Sequence, residues 1–237
     1  MDARRGYVPE DKRYFSQDAI RTLQTASRHI RYLINEGYDL KHASTFVGNH
    51  FLFSERQRIA IMRSLATDYQ LADRKNKQIS IDAIAGKDVW IDGFNTIITL
   101  EVMLSEGILF QCMDGTIRDL ASLRGTYRLI PETIEAVRLM FSVLQENRAG
   151  KIFILLDEPV SNSGRLKALI ADIAETDYCS PDLDIQILRD VDRTLYQKEY
   201  VITSDSVILD HCISWVNLTS ECIKRRSGHT LRVWECS

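Results

Sequence analysis

The sequence predicts an α/β fold with a mainly parallel central sheet, preceded by a small all-α helical bundle. Three short apolar segments, at residues 88–91, 151–156 and 199–204, each run into an aspartate and are followed by a helical pattern. Strands that alternate with helices favour a parallel sheet with right-handed crossovers. The first 78 residues show helical periodicity instead. We therefore predict a helical bundle over residues 1–78 and an α/β domain over residues 79–237.

Composition is that of an ordinary globular protein. The chain has 237 residues, of which 45% are apolar and 27% charged, enough for one sizeable α/β core or two unequal domains. No apolar run approaches the ~20 residues that span a bilayer, and no apolar segment follows the charged N-terminus. Five cysteines without a C-x-x-C pair argue against a disulfide framework and a zinc knuckle. These observations predict a cytoplasmic protein with no membrane partner.

Charge is distributed unevenly between the two predicted domains. Residues 1–80 contain 14 Lys and Arg against 9 Asp and Glu, whereas the remainder contains 16 against 24. A basic bundle could meet a polyanion, and an acidic domain could hold a divalent cation. Two solvated surfaces of random charge balance would give similar counts.

The N-terminal helices are predicted from their caps and their apolar spacing. Ser16 begins a helix that runs to about Asn35, and a short helix follows at 40–47, with 48–50 as a break. Ser54 and Gln57 form the capping box of a third helix, which runs to about residue 69. The polar segment 72–78 is the predicted linker. This order resembles a helix-turn-helix unit, although helices joined by short turns are common.

The α/β domain begins with the strand at 88–91 and a helix over 95–103. Asp114-Gly115 predicts a tight turn that joins strands at 108–113 and 116–120. A helix starts at Pro131 and ends near Gly150. The elements expected after it are a strand at 151–156, a helix to about 175, a strand at 183–188, a short helix at 193–198, a strand at 200–203, a helix at 207–211, a strand at 215–218 and an edge segment in the tail.

The strand-end acids are the predicted functional site. Asp92, Asp157 and Asp205 follow three strands, and Asp190 and Asp192 follow a fourth. Parallel strands present their carboxyl ends to one cleft, so these acids should cluster there. Clustered carboxylates repel one another unless a cation is bound, and oxygen ligands without His or Cys favour Mg²⁺ or Mn²⁺. The alternative is that each aspartate only caps a turn or helix.

Three short motifs resemble those of the PIN and NYN-type nucleases. I-D-G-F-N at 91–95 resembles their D-G-x-N motif, L-D at 156–157 their middle acid, and T-S-D-S at 203–206 their late T/S-x-D motif. The whole chain resembles an uncharacterised prokaryotic family in which a helical domain of unknown function, number 434, precedes a PIN-like domain. G-Y at 37–38, V-G-N at 47–49 and R-Q-R at 56–58 match the helical part, and D-G at 114–115 with R-D at 118–119 match the other. The resemblance implies a Rossmann-like PIN fold and RNA hydrolysis by a two-metal mechanism.

Further site residues follow from the resemblance and from position. PIN nucleases have a fourth acid on a helix, for which Glu101 is the candidate, with Asp190, Asp192 and Glu158 as substitutes. Asn95 and Ser204 are predicted to orient Asp92 and Asp205, or alternatively to cap helices.

Basic residues are the candidate RNA contacts. Arg124 and Arg128 flank a tyrosine in one loop, and Arg165 and Lys167 lie near Asp157 in sequence, although solvated surfaces would look the same. A larger surface on the bundle is predicted from Arg21, Arg28, Arg31, Arg56, Arg58 and Arg63. The alternatives are that the bundle packs on the α/β domain or on a second subunit, and that the protein is a weakly catalytic or inactive binding module or part of a regulatory pair.

Overall fold

A computed structural model describes residues 4–121, 126–178, 182–226 and 233–235 of the chain. The described helices are α1 (Asp11–Tyr14), α2 (Gln17–Asn35), α3 (Leu40–His50), α4 (Glu55–Ser64), α5 (Asp68–Lys77), α6 (Gly93–Leu104), α7 (Pro131–Glu146), α8 (Ser163–Asp177), α9 (Val191–Leu195), α10 (Ser206–His211) and α11 (Leu218–Arg225). The strands are β1 (Gln78–Ile79), β2 (Val89–Asp92), β3 (Leu109–Gln111), β4 (Ile117–Asp119), β5 (Ile152–Asp157), β6 (Leu183–Leu188), β7 (Val201–Ile202), β8 (Trp215–Val216) and β9 (Val233–Glu235).

The six-stranded sheet has the order β1-β8-β7-β2-β5-β6, and every neighbouring pair is parallel. The predicted α/β fold with a mainly parallel sheet is confirmed. Central strands β2 and β5 are almost wholly apolar until their last residue, which is an aspartate in both. A strand covered on both faces reads as such an unbroken apolar run. The terminal aspartates are therefore carried to the carboxyl edge of the sheet.

The predicted hairpin forms part of a second, three-stranded sheet. Strands β3 and β4 pair antiparallel around the turn at Asp114-Gly115, where Gly115 has a φ of 80°. Glycine adopts this left-handed conformation without steric cost. The tail supplies β9, which pairs parallel with β3, as the predicted edge segment suggested.

Two predictions about the helical region were wrong. Helix α3 continues through residues 48–50, because Gly48 packs against Arg58: a Cβ there would lie 2.6 Å from the Arg58 Nη1 atom. Residues 72–77 are not a linker but most of α5, which starts at a second capping box formed by Thr67 and Gln70. The third helix accordingly ends at Ser64.

The bundle and the hairpin share one apolar core. Ile108, Phe110, Cys112 and Leu120 of the hairpin pack with the buried side chains of α2, α3 and α4. Helix α5 also reaches the α/β domain through Arg74, whose side chain is only 2% exposed. The two regions are therefore packed against each other. In the described part of the chain, no helix has the length and apolar character needed to cross a membrane.

Candidate functional site

A cavity of about 580 Å³ opens at the carboxyl edge of the parallel sheet. Five aspartates line it: Asp92 ends β2, Asp119 ends β4, Asp157 ends β5, Asp192 lies in the first turn of α9, and Asp205 caps α10. The three predicted strand-end acids thus line one cavity, together with Asp119 and Asp192. Asp190 instead caps α9, where its carboxylate accepts a hydrogen bond from the backbone N–H of Arg193, and it does not line the cavity.

The opposite wall comes from the bundle and the hairpin. The bundle contributes Leu40 on α3 with Met62 and Arg63 on α4. The hairpin contributes Arg118 and Asp119 on β4, and Ala121 lies just after it. The cavity therefore lies where the helical region meets the α/β domain. Both regions contribute to it.

Asp92 is held by its neighbours in sequence and in space. Asp92 is 6% exposed, and its Oδ2 accepts a hydrogen bond of 2.8 Å from the Thr203 hydroxyl. The same hydroxyl oxygen accepts the Asp205 N–H at 3.0 Å, so one side chain links the ends of β2 and β7. Gly93 lets α6 start against β5, because a Cβ there would lie 2.8 Å from the Leu155 carbonyl oxygen.

Asn95 and Ser204 bond to each other and not to the acids they were predicted to orient. The Asn95 Oδ1 accepts the Ser204 N–H at 2.9 Å and its hydroxyl at 2.8 Å, which ties α6 to the segment after β7. Thr203 performs the predicted orienting role. Asp205 lines the cavity, and it also caps α10, since its Oδ1 accepts the Val207 N–H; the capping interpretation is therefore confirmed for this residue, and metal binding stays a prediction.

Arg63 and Arg118 also line this cavity, and Arg63 lies 3.8 Å from the carboxylate of Asp119, but no basic side chain of the described residues pairs with the other four aspartates. The pKa of Asp92 is raised to about 8, chiefly by burial and to a smaller extent by the carboxylates of Asp205, Asp157 and Asp192, while the hydrogen bond from Thr203 opposes the rise. Burial and neighbouring carboxylates also raise the pKa of Asp157 and of Asp192. A bound proton or cation would relieve this repulsion.

The donor set suits a hydrated hard cation. Among the described residues, no three His, Cys, Asp or Glu side chains are arranged to hold one metal ion between them. Mg²⁺, however, usually keeps several waters and is bound through one or two carboxylates together with substrate phosphates. The residues that the structure describes do not form a dedicated cage of protein ligands, and their carboxylate oxygens are of the type that this hydrated mode uses.

The structure does not bring Glu101 to the other acids. This glutamate is fully buried away from the cavity, and its carboxylate accepts hydrogen bonds from Arg5 Nε at 2.8 Å, from the Tyr127 hydroxyl and from Thr133. Asp119 lines the cavity instead, with its carboxylate bonded to the Thr99 hydroxyl at 2.7 Å. Asp119 ends β4, an antiparallel strand of the second sheet, so the pattern of an apolar strand, an aspartate and a helix that identified the other acids does not include it.

Most of the basic residues that were predicted to contact RNA lie outside the acidic cavity. Arg128, Arg165 and Lys167 are exposed, but none of them lines the acidic cavity, and Arg124 lies outside the described residues. In the bundle, Arg56 is paired with Asp11, Arg58 bonds to backbone carbonyls, Arg31 is paired with Asp68, and Arg21 lies 3.8 Å from Asp18. Arg63 lines the cavity. Arg21, Arg31 and Arg56 are therefore paired with acids of the bundle itself, and not with acids of the α/β domain.

These features define an α/β protein with a mostly parallel six-stranded sheet, an N-terminal helical region and an acidic cavity between them. Residues 81–221 match the family described as "Domain of unknown function (DUF5616)", and residues 22–77 match "Protein of unknown function (DUF434)". Because the first match spans more than half of the chain, the chain belongs to the DUF5616 family. The predicted two-domain organisation of an uncharacterised family is supported, and neither match is a PIN-like family.

A curated relative is similar in sequence over most of its length. The "Uncharacterized protein MJ0935" of Methanocaldococcus jannaschii is 32% identical over 188 residues, which cover 79% of this chain and 89% of MJ0935. No solved structure matches the chain significantly.

Proposed function

We propose that this protein is a metal-dependent ribonuclease whose α/β domain is PIN-like. The observation that carries the proposal is the cavity itself: Asp92, Asp157, Asp192 and Asp205 line it together, and no guanidinium or ammonium of the described residues is paired with these four. Uncompensated acids are costly to the fold and are typical of functional sites. The D-G-x-N motif with Asp92 and the T/S-x-D motif with Asp205 resemble motifs of the PIN nucleases, which supports the proposal.

Asp92, Asp157, Asp192 and Asp205 would hold the cation, Mg²⁺ or Mn²⁺. When bound, the ion lowers the pKa of a water and offsets charge on the phosphate. The water's hydroxyl adds to phosphorus, the bond from phosphorus to the leaving oxygen breaks, and that oxygen takes up a proton. An aspartate of the cavity accepts the water's proton, and Thr203 keeps Asp92 in place through their hydrogen bond.

The wall opposite the acids offers contacts for the substrate. Arg63 is 38% exposed on its side chain and reaches the cavity from the bundle. An arginine can bond a phosphate oxygen through two N–H groups. Met62 and Ile98 add apolar surface beside it, which suits the body of a nucleotide. The preference for RNA over DNA comes from the PIN resemblance alone.

Cleavage of a panel of RNAs by the purified full-length chain tests the proposal. We expect cleavage with Mn²⁺ or Mg²⁺, no cleavage with EDTA, and a loss of at least about a hundredfold in Asp92→Asn and Asp157→Asn, since cation ligands contribute more than the groups that support them. Asp172→Asn, an exposed acid on α8, is the matched control and should cleave normally. Intact RNA in the presence of Mn²⁺, or an Asp92→Asn variant as active as the parent, would refute the enzyme. DNA oligonucleotides of the same sequences show whether the sugar matters.

A binding module without catalysis is the second candidate, favoured by the lack of a ready-made set of three metal ligands among the described residues. It predicts RNA binding that does not lead to cleavage under any divalent cation. Cation titration by calorimetry separates it from the first candidate, because a pure binder has no need for the ion.

A further inference from the structure

A second cavity lies beside the acidic one and has the opposite charge. Its volume is about 360 Å³, and its lining includes the side chains of Arg4, Arg5, Arg56 and Arg128, with no acidic residue among the described residues that line it. Ala121 lines both cavities, and the chain passes from Asp119 in the acidic cavity to Leu120 in the basic one. The two cavities are therefore neighbours.

Two of the four arginines in this basic cavity are already neutralised. Arg5 donates from Nε to Glu101 at 2.8 Å, and Arg56 forms a two-point pair with Asp11 at 2.5 and 2.8 Å. In the described parts of the chain, Arg4 and Arg128 have no ion-pair partner. The cavity lining thus keeps two positive charges without an ion-pair partner among the described residues, enough to balance a terminal phosphate or a singly charged backbone phosphodiester.

The paired arginines give the cavity a fixed frame. Arg56 also donates to the carbonyl oxygens of Gly6 and Leu120, and the Arg5 guanidinium lies 4.7 Å from the centre of the Tyr127 ring. Groups held in this way lose little freedom when a ligand binds. The exposed Arg4 and Arg128 supply the adaptable contacts, and arginine suits phosphate because its planar fork matches two oxygens.

We propose that the basic cavity binds a phosphate group of the RNA while a neighbouring phosphodiester occupies the acidic cavity. This inference rests on the proposed function for the identity of the ligand. The shared chemistry is a phosphate that comes either from the RNA backbone or from a 5′-terminal phosphate. Attraction in the basic cavity also offsets the repulsion that the four aspartates impose on a polyanion.

The test is an affinity measurement that needs no catalysis. The double variant Arg4→Gln/Arg128→Gln and the wild type are titrated, in EDTA, with fluorescent RNA that carries either a 5′-phosphate or a 5′-hydroxyl. Lys75→Gln/Lys224→Gln is the matched control, because both lysines lie on helices outside the two cavities and Lys75 is exposed. Circular dichroism and thermal melting check that all variants fold.

We expect the affinity of the arginine variant to fall about tenfold or more, because its charged hydrogen bonds to phosphate disappear. The slope of log affinity against log salt should become less steep by about 0.7 for each phosphate that the variant no longer binds. The lysine control should bind as the wild type does. A fall in affinity confined to the 5′-phosphate RNA identifies a terminal phosphate, and an equal fall for both RNAs identifies a backbone phosphate.

Unchanged affinity in the arginine variant, or a wild type that binds neither RNA, would overturn the inference. Its failure is distinguishable from that of the proposed function. Arginine-dependent binding without cleavage in Mn²⁺ removes the nuclease and leaves the phosphate site. Cleavage that depends on Asp92 but not on Arg4 and Arg128 supports the nuclease and removes the phosphate site.

Discussion

Two groups of aspartates in this molecule differ in whether arginines neutralise their charge. Four of the five cavity aspartates, Asp92 among them, have no salt bridge among the described residues, whereas Asp114 lies between two arginines where the helical region meets the α/β domain. Asp114 Oδ2 is 2.8 Å from Arg74 and 2.7 Å from Arg118, and Arg74 also binds Asp210 at 2.7 Å. Asp92 and the Asp114 side chain are both buried, and Arg118, a partner of Asp114, lines the cavity that holds Asp92.

Counter-charge, rather than burial, separates the two clusters. The pKa of Asp92 is raised to about 8, chiefly by burial and to a smaller extent by its acidic neighbours. Burial also opposes ionisation of Asp114, but Arg118, a hydrogen bond from Thr116 and Arg74 outweigh it and hold the pKa of Asp114 below its usual value. An acid that the fold neutralises stabilises structure, while an acid that the fold leaves unpaired is available for a ligand.

The largest expected effect is on the neutralised cluster. Asp114→Asn would leave Arg74 and Arg118 buried without their shared carboxylate, and the protein should lose about 3–5 kcal/mol of unfolding free energy. Urea denaturation at pH 7 measures this loss. Asp172→Asn is the control and should change stability by less than about 0.5 kcal/mol. A loss for Asp114→Asn as small as that of the control would mean that this cluster does not hold the two regions together.

Asp92→Asn should act in the opposite direction in the metal-free protein. The folded pKa of about 8 lies above the ordinary 3.8, so the stability that the neutral acid contributes is complete below pH 3.8 and is lost as the pH rises through about 8. Asparagine does not titrate. The variant should therefore become more stable than the wild type as the pH rises from 4 to about 8, by up to a few kcal/mol near pH 8.

Thermal melting in EDTA across this pH range measures the difference, and adding Mn²⁺ should reverse it, because only the wild type gains stability from the bound ion. A variant that is less stable than the wild type at pH 8 in EDTA would show that other groups of the protein compensate the charge of Asp92.

The same comparison shows which features of the site could be predicted from the sequence and which could not. Strand-then-Asp repetition predicted the parallel sheet and the meeting of Asp92, Asp157 and Asp205, because strand direction fixes where the carboxyl ends lie. The repeated pattern could not show which acids are paired with an arginine in the folded protein. The partners of Asp114 and Glu101 are distant in sequence, with Arg74 forty residues from Asp114 and Arg5 ninety-six from Glu101.

Two short helix-capping signals were not recognised in the sequence. Helix α5 begins at Thr67 and Gln70, a capping box as clear as that at Ser54, but its polar composition favoured a linker. Its buried face is formed by Arg74, a residue type that is rarely buried unless paired. Helix α11, which Asn217 caps, was assigned in part to a final strand for a similar reason.

A smaller effect is expected from the glycine that follows Asp92. Gly93→Ala would place a Cβ 2.6 Å from Leu156 Cδ2 and 2.8 Å from the Leu155 carbonyl oxygen, so α6 must shift away from β5, at a cost of about 1–3 kcal/mol. Gly164→Ala is the matched control: its Cβ meets nothing within 4 Å in α8, and it should be neutral or stabilise by about 0.4–1 kcal/mol. Urea denaturation compares the two. Equal effects would show that close packing at Gly93 does not position Asp92.

The smallest expected effect belongs to Thr203, which favours the charged form of Asp92 through its hydrogen bond. Thr203→Val removes that bond and the one from the Asp205 N–H, with a cost of about 1 kcal/mol. The pKa of Asp92 should rise further, so protons compete more strongly with the cation. We expect Mn²⁺ affinity measured by calorimetry to fall at pH 7 and to recover in part at pH 9, where Asp92 ionises in both proteins. Thr203→Ser keeps the hydroxyl and should bind as the wild type does. If Thr203→Val binds Mn²⁺ at pH 7 as tightly as Thr203→Ser, the threonine is a structural link between β2 and β7 and does not tune the cavity acid.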